Sequence, residues 1–265
     1  MRILMNLLSS WQRFSPLRVV KSIGLVVLCW VLIGCSAPTQ ASNKAVDSDL
    51  EAKVLQVIRN HPEVVLESLQ AYQQKQQEQQ QQSQKALVEK MKANPKSVIG
   101  ESPTEGNSAR QIILLEFSDF QCPYCAKAFQ TIKQFMATHQ NQVTLVYKNF
   151  PLTRIHREAM PAAKAAWADY QQGKFWPFHD ALFENQDKLG ESFYVSTAKA
   201  LNLDLKRFDQ DRNSKATEAA IQKDVDMAEK LGIGGTPFFI MNGEPISGAP
   251  EIADLEKLLE QVSKS

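Results

Sequence analysis

The sequence predicts an α/β domain that carries a helical insertion and follows a helical arm. Three observations lead there. Residues 111–117 (QIILLEF) read as a buried strand, residues 123–138 as an amphipathic helix and residues 143–147 (VTLVY) as an alternating second strand. Residues 154–232 then hold alanine-rich and aromatic helical segments with no strand pattern. Strands return at residues 237–241 (PFFIM), with Asn242-Gly243 as a hairpin turn and Ile246-Ser247 opposite, before an amphipathic helix over 252–262. Strands joined through helical crossovers make an α/β architecture, with the block at 154–232 expected as a lid on a domain formed by 110–153 and 233–265.

The start of the chain has a different character. Arg2, Arg13, Arg18 and Lys21 are the only charges before Ser36, and they precede an unbroken apolar run over residues 23–33. A basic stretch, a short apolar stretch and a small residue form the layout of an export signal, here 1–35. The run is short for a bilayer-spanning helix, which needs roughly 20 apolar residues. Leu32-Ile-Gly-Cys35 resembles a bacterial lipobox, which implies cleavage before Cys35 and lipidation of that residue. An uncleaved signal anchor, or cleavage near Ala37 or Ala41, remains open. Each alternative places the rest of the chain outside the cytoplasm, facing a periplasm or other extracytoplasmic space.

Residues 36–46 are small and polar and read as a tether, followed by a helical arm over 47–93. Leu50, Val54, Val57 and Ile58 recur at helical spacing until Asn60-His61-Pro62 interrupts them. A second helix is expected from Pro62, with Val65, Leu69 and Tyr72 on one side, since proline is tolerated in a first turn. It runs into QQKQQEQQQQSQ at 73–84, either a solvated helical extension or disorder, with Leu87, Val88 and Met91 continuing the pattern. Such an arm cannot bury its apolar stripe alone, so the stripe must face the main domain or another copy of the chain. Residues 94–109 are expected to be a linker.

Overall composition is ordinary: 265 residues, 43% hydrophobic, 22% charged, net charge +1. No single-sign field argues for a nucleic-acid partner. Of the four cysteines, Cys29 lies in the apolar run and Cys35 at the lipobox, which leaves Cys122 and Cys125 in the exported part. They sit in EFSDFQCPYCAKAF, where a strand ends and a helix begins. A cysteine there meets unpaired backbone N–H groups and the positive end of the helix dipole, so the Cys122 thiolate is favoured. Pro123 suits the first helical position, and Cys125, one turn on, is expected beneath Cys122. This suits thiol–disulfide exchange through a Cys122–Cys125 pair. A zinc site needs four ligands, and His61, His139, His156 and His179 form no close pair that could complete one. A structural staple is a poor alternative, because so short a loop hardly restrains the unfolded chain. No cofactor is implied.

Strand, CPYC, helix, helical insertion and Gly235-Thr-Pro237 before a strand, taken in that order over 111–263, resemble a DsbA-like thioredoxin-fold protein. The resemblance implies a thioredoxin fold with an inserted helical domain. It also implies a cis peptide before Pro237 beside the cysteines, and pairing of the Thr236 backbone with an extended substrate segment. Glu116 matches the family's buried acid six residues before the first cysteine, which could exchange a proton with Cys125. The alternative for Glu116 is a buried ion pair with Lys148. Phe175-Trp-Pro-Phe-His-Asp180 also resembles a family segment, whose aromatics read as lid core and whose His179 reads as structural. His156 and Arg157 are weaker candidates for approach to the site.

Pro123-Tyr124 bears on redox direction. The family's strongest oxidants carry histidine where this chain has Tyr124, so a weaker oxidant, an isomerase or a reductase is implied. Protein substrates with cysteines are the implied partners, and a non-enzymatic binding or metal-handling module on the same fold is the alternative of another class. An oxidase would further need a quinone-linked membrane reoxidase of the DsbB or vitamin K epoxide reductase-like kind. Residues 61–69 (HPEVVLESL) resemble the N-terminal helix of oligomeric ScsC-type members, which implies a homo-oligomer through 47–93.

Overall fold

The computed structural model describes residues 48–107 and 112–264, so the export signal, Cys35 and the tether lie outside the described residues. The chain divides into two compact units at Val65/Leu66. The first contains α1 (Ser48–Asn60) and the opening turn of α2 (Pro62–Ala93). Leu50, Val54, Leu55, Val57, Ile58, Val64 and Val65 are all exposed in it. Among the described residues no helix is long and apolar enough to cross a membrane.

In the second unit α2 continues unbroken through the glutamine tract. Its last two turns bury Leu87 and Met91 in a cluster with Val98, Ile99, Leu231 and Ile233. The expected linker at 94–109 is therefore overturned. It contains a short helix, α3 (Pro95–Ile99), and a strand, β1 (Thr104–Gly106). The strand leaves no sequence signal because an edge position makes few demands on side chains, and TEG carries no apolar alternation. Gly106, at φ +92, closes it where a Cβ would run into the Val143 carbonyl oxygen.

Four further strands complete one mixed sheet: β2 (Ile112–Ser118), β3 (Val143–Asn149), β4 (Phe238–Met241) and β5 (Glu244–Ser247), in the order β1-β3-β2-β4-β5. Strand β2 pairs parallel with β3 and antiparallel with β4, and β1 runs antiparallel to β3. The parallel pair is crossed over by α4 (Pro123–His139). The central strands are buried on both faces, which explains the unbroken apolar run that opens β2. Alternation sends Ile113, Leu115 and Phe117 to one face, while Leu114 lies on the other with Phe135, Phe239 and Leu255. The last of these comes from the closing helix, α10 (Ile252–Ser263).

The insertion comprises α5 (Ala159–Tyr170), α6 (Phe175–Glu184), a 3-10 turn at Gln186–Lys188, α7 (Glu191–Ala200), α8 (Leu205–Arg212) and α9 (Lys215–Lys230). Ala162, Ala165, Ala166 and Ala168 let α5 pack closely beside Phe178 and Phe208. Asp204 and Ser214 cap α8 and α9 by accepting from backbone N–H groups, so each start is encoded locally. The insertion is not a lid throughout. Ala228, near the end of α9, lies in the apolar cluster with Ile113, Leu115 and Phe117 of the sheet.

Candidate active site

The cysteine pair is built by the end of one strand and the start of one helix. Beyond β2, residues 119–121 turn the chain so that Cys122 N–H donates to the Asp119 carbonyl at 3.1 Å. Cys122 is the N-cap of α4, in extended conformation, with Pro123 in the first turn. Both cysteines are buried and both are free thiols. Tyr124, between them, is 68% exposed.

Across from Cys122 lies the loop before β4. The Thr236-Pro237 peptide is cis, and the Cys122 thiol donates to the Thr236 carbonyl at 3.4 Å. The Cys122 pKa is lowered to about 5. The hydrogen bond from the Cys125 thiol is the largest cause, outweighing burial, and the N–H groups of Tyr124 and Cys125 add to it. Cys125 moves the opposite way. Burial pushes its pKa far up, and giving its hydrogen to Cys122 raises it further, while Ser118 and the Asp119 N–H act against this. One sulfur is thus prepared as a nucleophile, and the other holds its proton.

Glu116 is 2% exposed, and burial raises its carboxyl to about 7, with the Ser118 side chain acting against it. It has no ion-pair partner in Lys148, so the alternative reading is overturned by register. Glu116 stands opposite Tyr147, whereas Phe117 stands opposite Lys148, which puts Lys148 on the other face of the sheet. There its ammonium meets Asp224 of α9 at 3.1 Å, Ser102 Oγ at 2.8 Å and the Ile99 carbonyl at 3.1 Å. Glu116 instead borders a cavity of about 220 Å³ shared with Trp176, His179 and Asp180.

His179 is buried among Phe120, Phe129, Tyr147, Phe175, Trp176 and Phe183. Its Nδ1 bonds Asp180 at 3.0 Å, and burial lowers its pKa, so it stands as a neutral core histidine. Arg157 is exposed and pairs with Glu158. His156 comes nearer the site: its Nδ1 meets Asp119 Oδ2 at 2.7 Å. Sequence reasoning missed two residues. Asp119 touches both cysteines through its backbone, and Gln186 donates to the carbonyls of Phe120 and Cys122 at 2.8 and 2.9 Å. Proximity of Asp119 to the CPYC segment was the available signal, whereas Gln186 gave none. Among the described residues no three His, Cys, Asp or Glu side chains are placed to hold a metal ion.

Sheet order, the crossing helix and two thiols at that helix's start define a thioredoxin fold carrying a dithiol. A family model described as Thioredoxin matches residues 98–261, and the chain belongs to that family. Among solved structures, a thioredoxin-like oxidoreductase from Silicibacter pomeroyi DSS-3 is 30% identical, with a TM-score of 0.60 over 65% of this chain and 99% of that one. Proteus mirabilis ScsC in a transitional conformation is 22% identical, with a TM-score of 0.59 over 82% of this chain and 97% of that one, a likeness of fold. A curated relative, the Na(+)/H(+) antiporter NhaA 3 of Salinispora tropica, is 35% identical over 144 residues, 54% of this chain. The chain spans only 22% of that protein's length.

Proposed function

We propose that the chain is an exported, membrane-tethered thiol–disulfide oxidoreductase acting on cysteines in proteins. The observation that supports this best is the division of labour between the two sulfurs, an acidic Cys122 above a buried, proton-holding Cys125. In the reducing direction the Cys122 thiolate attacks one sulfur of a substrate disulfide. That bond breaks, the electron pair leaves on the second substrate sulfur, and a mixed disulfide forms. Cys125 then gives up its proton and attacks Cys122. The Cys122–Cys125 bond forms and the first substrate sulfur departs as a thiolate. The reverse sequence oxidises a substrate dithiol. Thr236 and Pro237 border Cys122 and offer backbone groups to an extended substrate segment. Glu116 accepts or returns the Cys125 proton, a role that suits a carboxyl with a pKa of about 7.

The Silicibacter pomeroyi relative's description as an oxidoreductase agrees with this reading. Replacement of Cys122 by serine is expected to abolish thiol exchange, and Cys125→Ser to accumulate mixed disulfides with substrate. Full exchange activity in Cys122→Ser would overturn the proposal. Anchoring through Cys35 predicts that Cys35→Ser shifts the chain from the membrane fraction to the soluble one. An oxidase role further calls for a quinone-linked membrane reoxidase as partner.

The exposed apolar residues of α1 and early α2 support a second reading, an oligomeric disulfide isomerase. Several dithiol sites held together around one misfolded substrate would reshuffle its bonds. Sedimentation with and without the arm separates the two readings, since an isomerase of this kind requires self-association.

A further inference from the structure

Asp119 contacts both cysteines without using its side chain. Its carbonyl accepts from Cys122 N–H at 3.1 Å, and its N–H points at Cys125 Sγ at 3.5 Å. The side chain, fully buried, is held by three donors. Oδ1 accepts from Gln121 N–H at 2.8 Å, and Oδ2 accepts from Leu152 N–H at 2.9 Å and from His156 Nδ1 at 2.7 Å. Two of the three come from the loop that leads from β3 into the insertion. His156 is the only one of them that acts through a side chain, and its bond to the carboxylate is a charge-assisted one.

We propose that His156 is a positioning residue for the resolving step: by fixing the Asp119 carboxylate it keeps the Asp119 N–H aimed at the sulfur of Cys125. The inference rests on the thiol-exchange reading above. Cys125 is buried, so charge that develops on its sulfur has little water to stabilise it. In the transition state between mixed disulfide and Cys122–Cys125 disulfide, Cys125 carries part of that charge, whichever way the reaction runs. A backbone donor already aimed at the sulfur costs no reorganisation at that moment, and its value depends on its aim. Neither residue touches the first sulfur exchange through a side chain. Loss of His156 is therefore expected to slow the second step selectively.

Oxidised glutathione gives a clean test on the full chain. Attack by Cys122 yields a Cys122–glutathione adduct and one reduced glutathione. Attack by Cys125 then releases the second and leaves the intramolecular disulfide. Acid quenching and mass spectrometry of the peptide containing both cysteines follow the adduct in time. In His156→Ala the adduct is expected to persist about 10-fold longer than in the wild type, while its formation rate is unchanged. In His156→Asn, whose amide nitrogen can reoccupy the Nδ1 position, the lifetime is expected to return close to wild type. An unchanged adduct lifetime in His156→Ala overturns the inference, and so does equal slowing in both variants. If His156→Ala does not fold, His156→Asn decides: wild-type lifetime supports the inference and a prolonged one overturns it. A wild-type chain that takes up no glutathione overturns the thiol-exchange reading itself, which is a distinct outcome.

Discussion

Burial acts on Glu116 and Cys122 in the same sense, raising the pKa of each, yet only Glu116 ends high. Cys122 has hydrogen bonds that reward its anion, and these outweigh desolvation. At Glu116 only the Ser118 side chain opposes burial, so desolvation wins. The two therefore bend stability with pH in opposite directions. Below about pH 4.3 Glu116 is protonated folded or unfolded, and its contribution to stability is fully present. As pH rises towards 7 that contribution is lost at about 1.4 kcal/mol per unit. Glu116→Gln is thus expected to melt at a higher temperature than wild type at pH 8 and at nearly the same temperature at pH 4. For Cys122 the folded value lies below the unfolded one. The dithiol form accordingly gains about 1.4 kcal/mol per unit as pH rises from about 5 towards 8.5. A thiolate absorbance titration of the reduced chain with an inflection near 5, missing in Cys122→Ser, checks the assignment.

Helix α2 spans two environments. Its early apolar residues Leu66, Leu69 and Tyr72 are exposed, whereas Leu87 and Met91 are in a core. A truncation meant to test the arm therefore has to stop well before Leu87. Removal of residues 45–72 is expected to lower the sedimenting mass of an oligomer to that of a monomer without loss of folding. Leu87→Ala, by contrast, is expected to cost about 2–5 kcal/mol in a denaturant melt. The Lys148–Asp224 pair joins β3 to α9 in the same way, as a charge link with side-chain exposures of 4% and 6%. Lys148→Met leaves Asp224 buried without its counter-charge and is expected to cost about 3–5 kcal/mol, whereas Lys148→Met with Asp224→Leu recovers most of it.

At this scale the order of the strong elements was legible, because β2 and β4 are apolar runs and β3, α4 and α10 carry periodic apolar patterns. The edge strand β1 was not, since three residues on an edge impose no pattern. The partner of Lys148 was not legible either, because register across a parallel pair decides which face a charge reaches, and no local feature encodes it. In the site, Cys122 and Cys125 declared themselves by spacing. Asp119, His156 and Gln186 act through contacts spanning 6, 37 and 64 residues, the longer of which only the folded chain brings together.

For the molecule as a whole, the Cys122 pKa of about 5 constrains redox direction. Stabilising the thiolate stabilises the dithiol form, which makes the disulfide more oxidising. Strong oxidants of this chemistry have a nucleophilic cysteine near 3.5 and thioredoxin-like reductants one near 7, and this chain lies between them. The reduction potential of the Cys122–Cys125 pair is accordingly expected between about −120 and −270 mV, measured by equilibration with a glutathione buffer. A value outside that interval would mean that the stability of the Cys122 thiolate does not set the balance.

The contact between Cys122 and Thr236 joins positions 114 residues apart. A chain made from its N-terminus must add the whole helical insertion before the second of these exists. Until then Cys122 lacks the carbonyl edge that faces it, and without the closing strands β4 and β5 the sheet that supports the helix start is incomplete. Unfinished copies consequently have Cys122 without the loop that will face it. The cleft beside Cys122 is thus a product of the finished sheet, assembled from chain segments on both sides of the insertion.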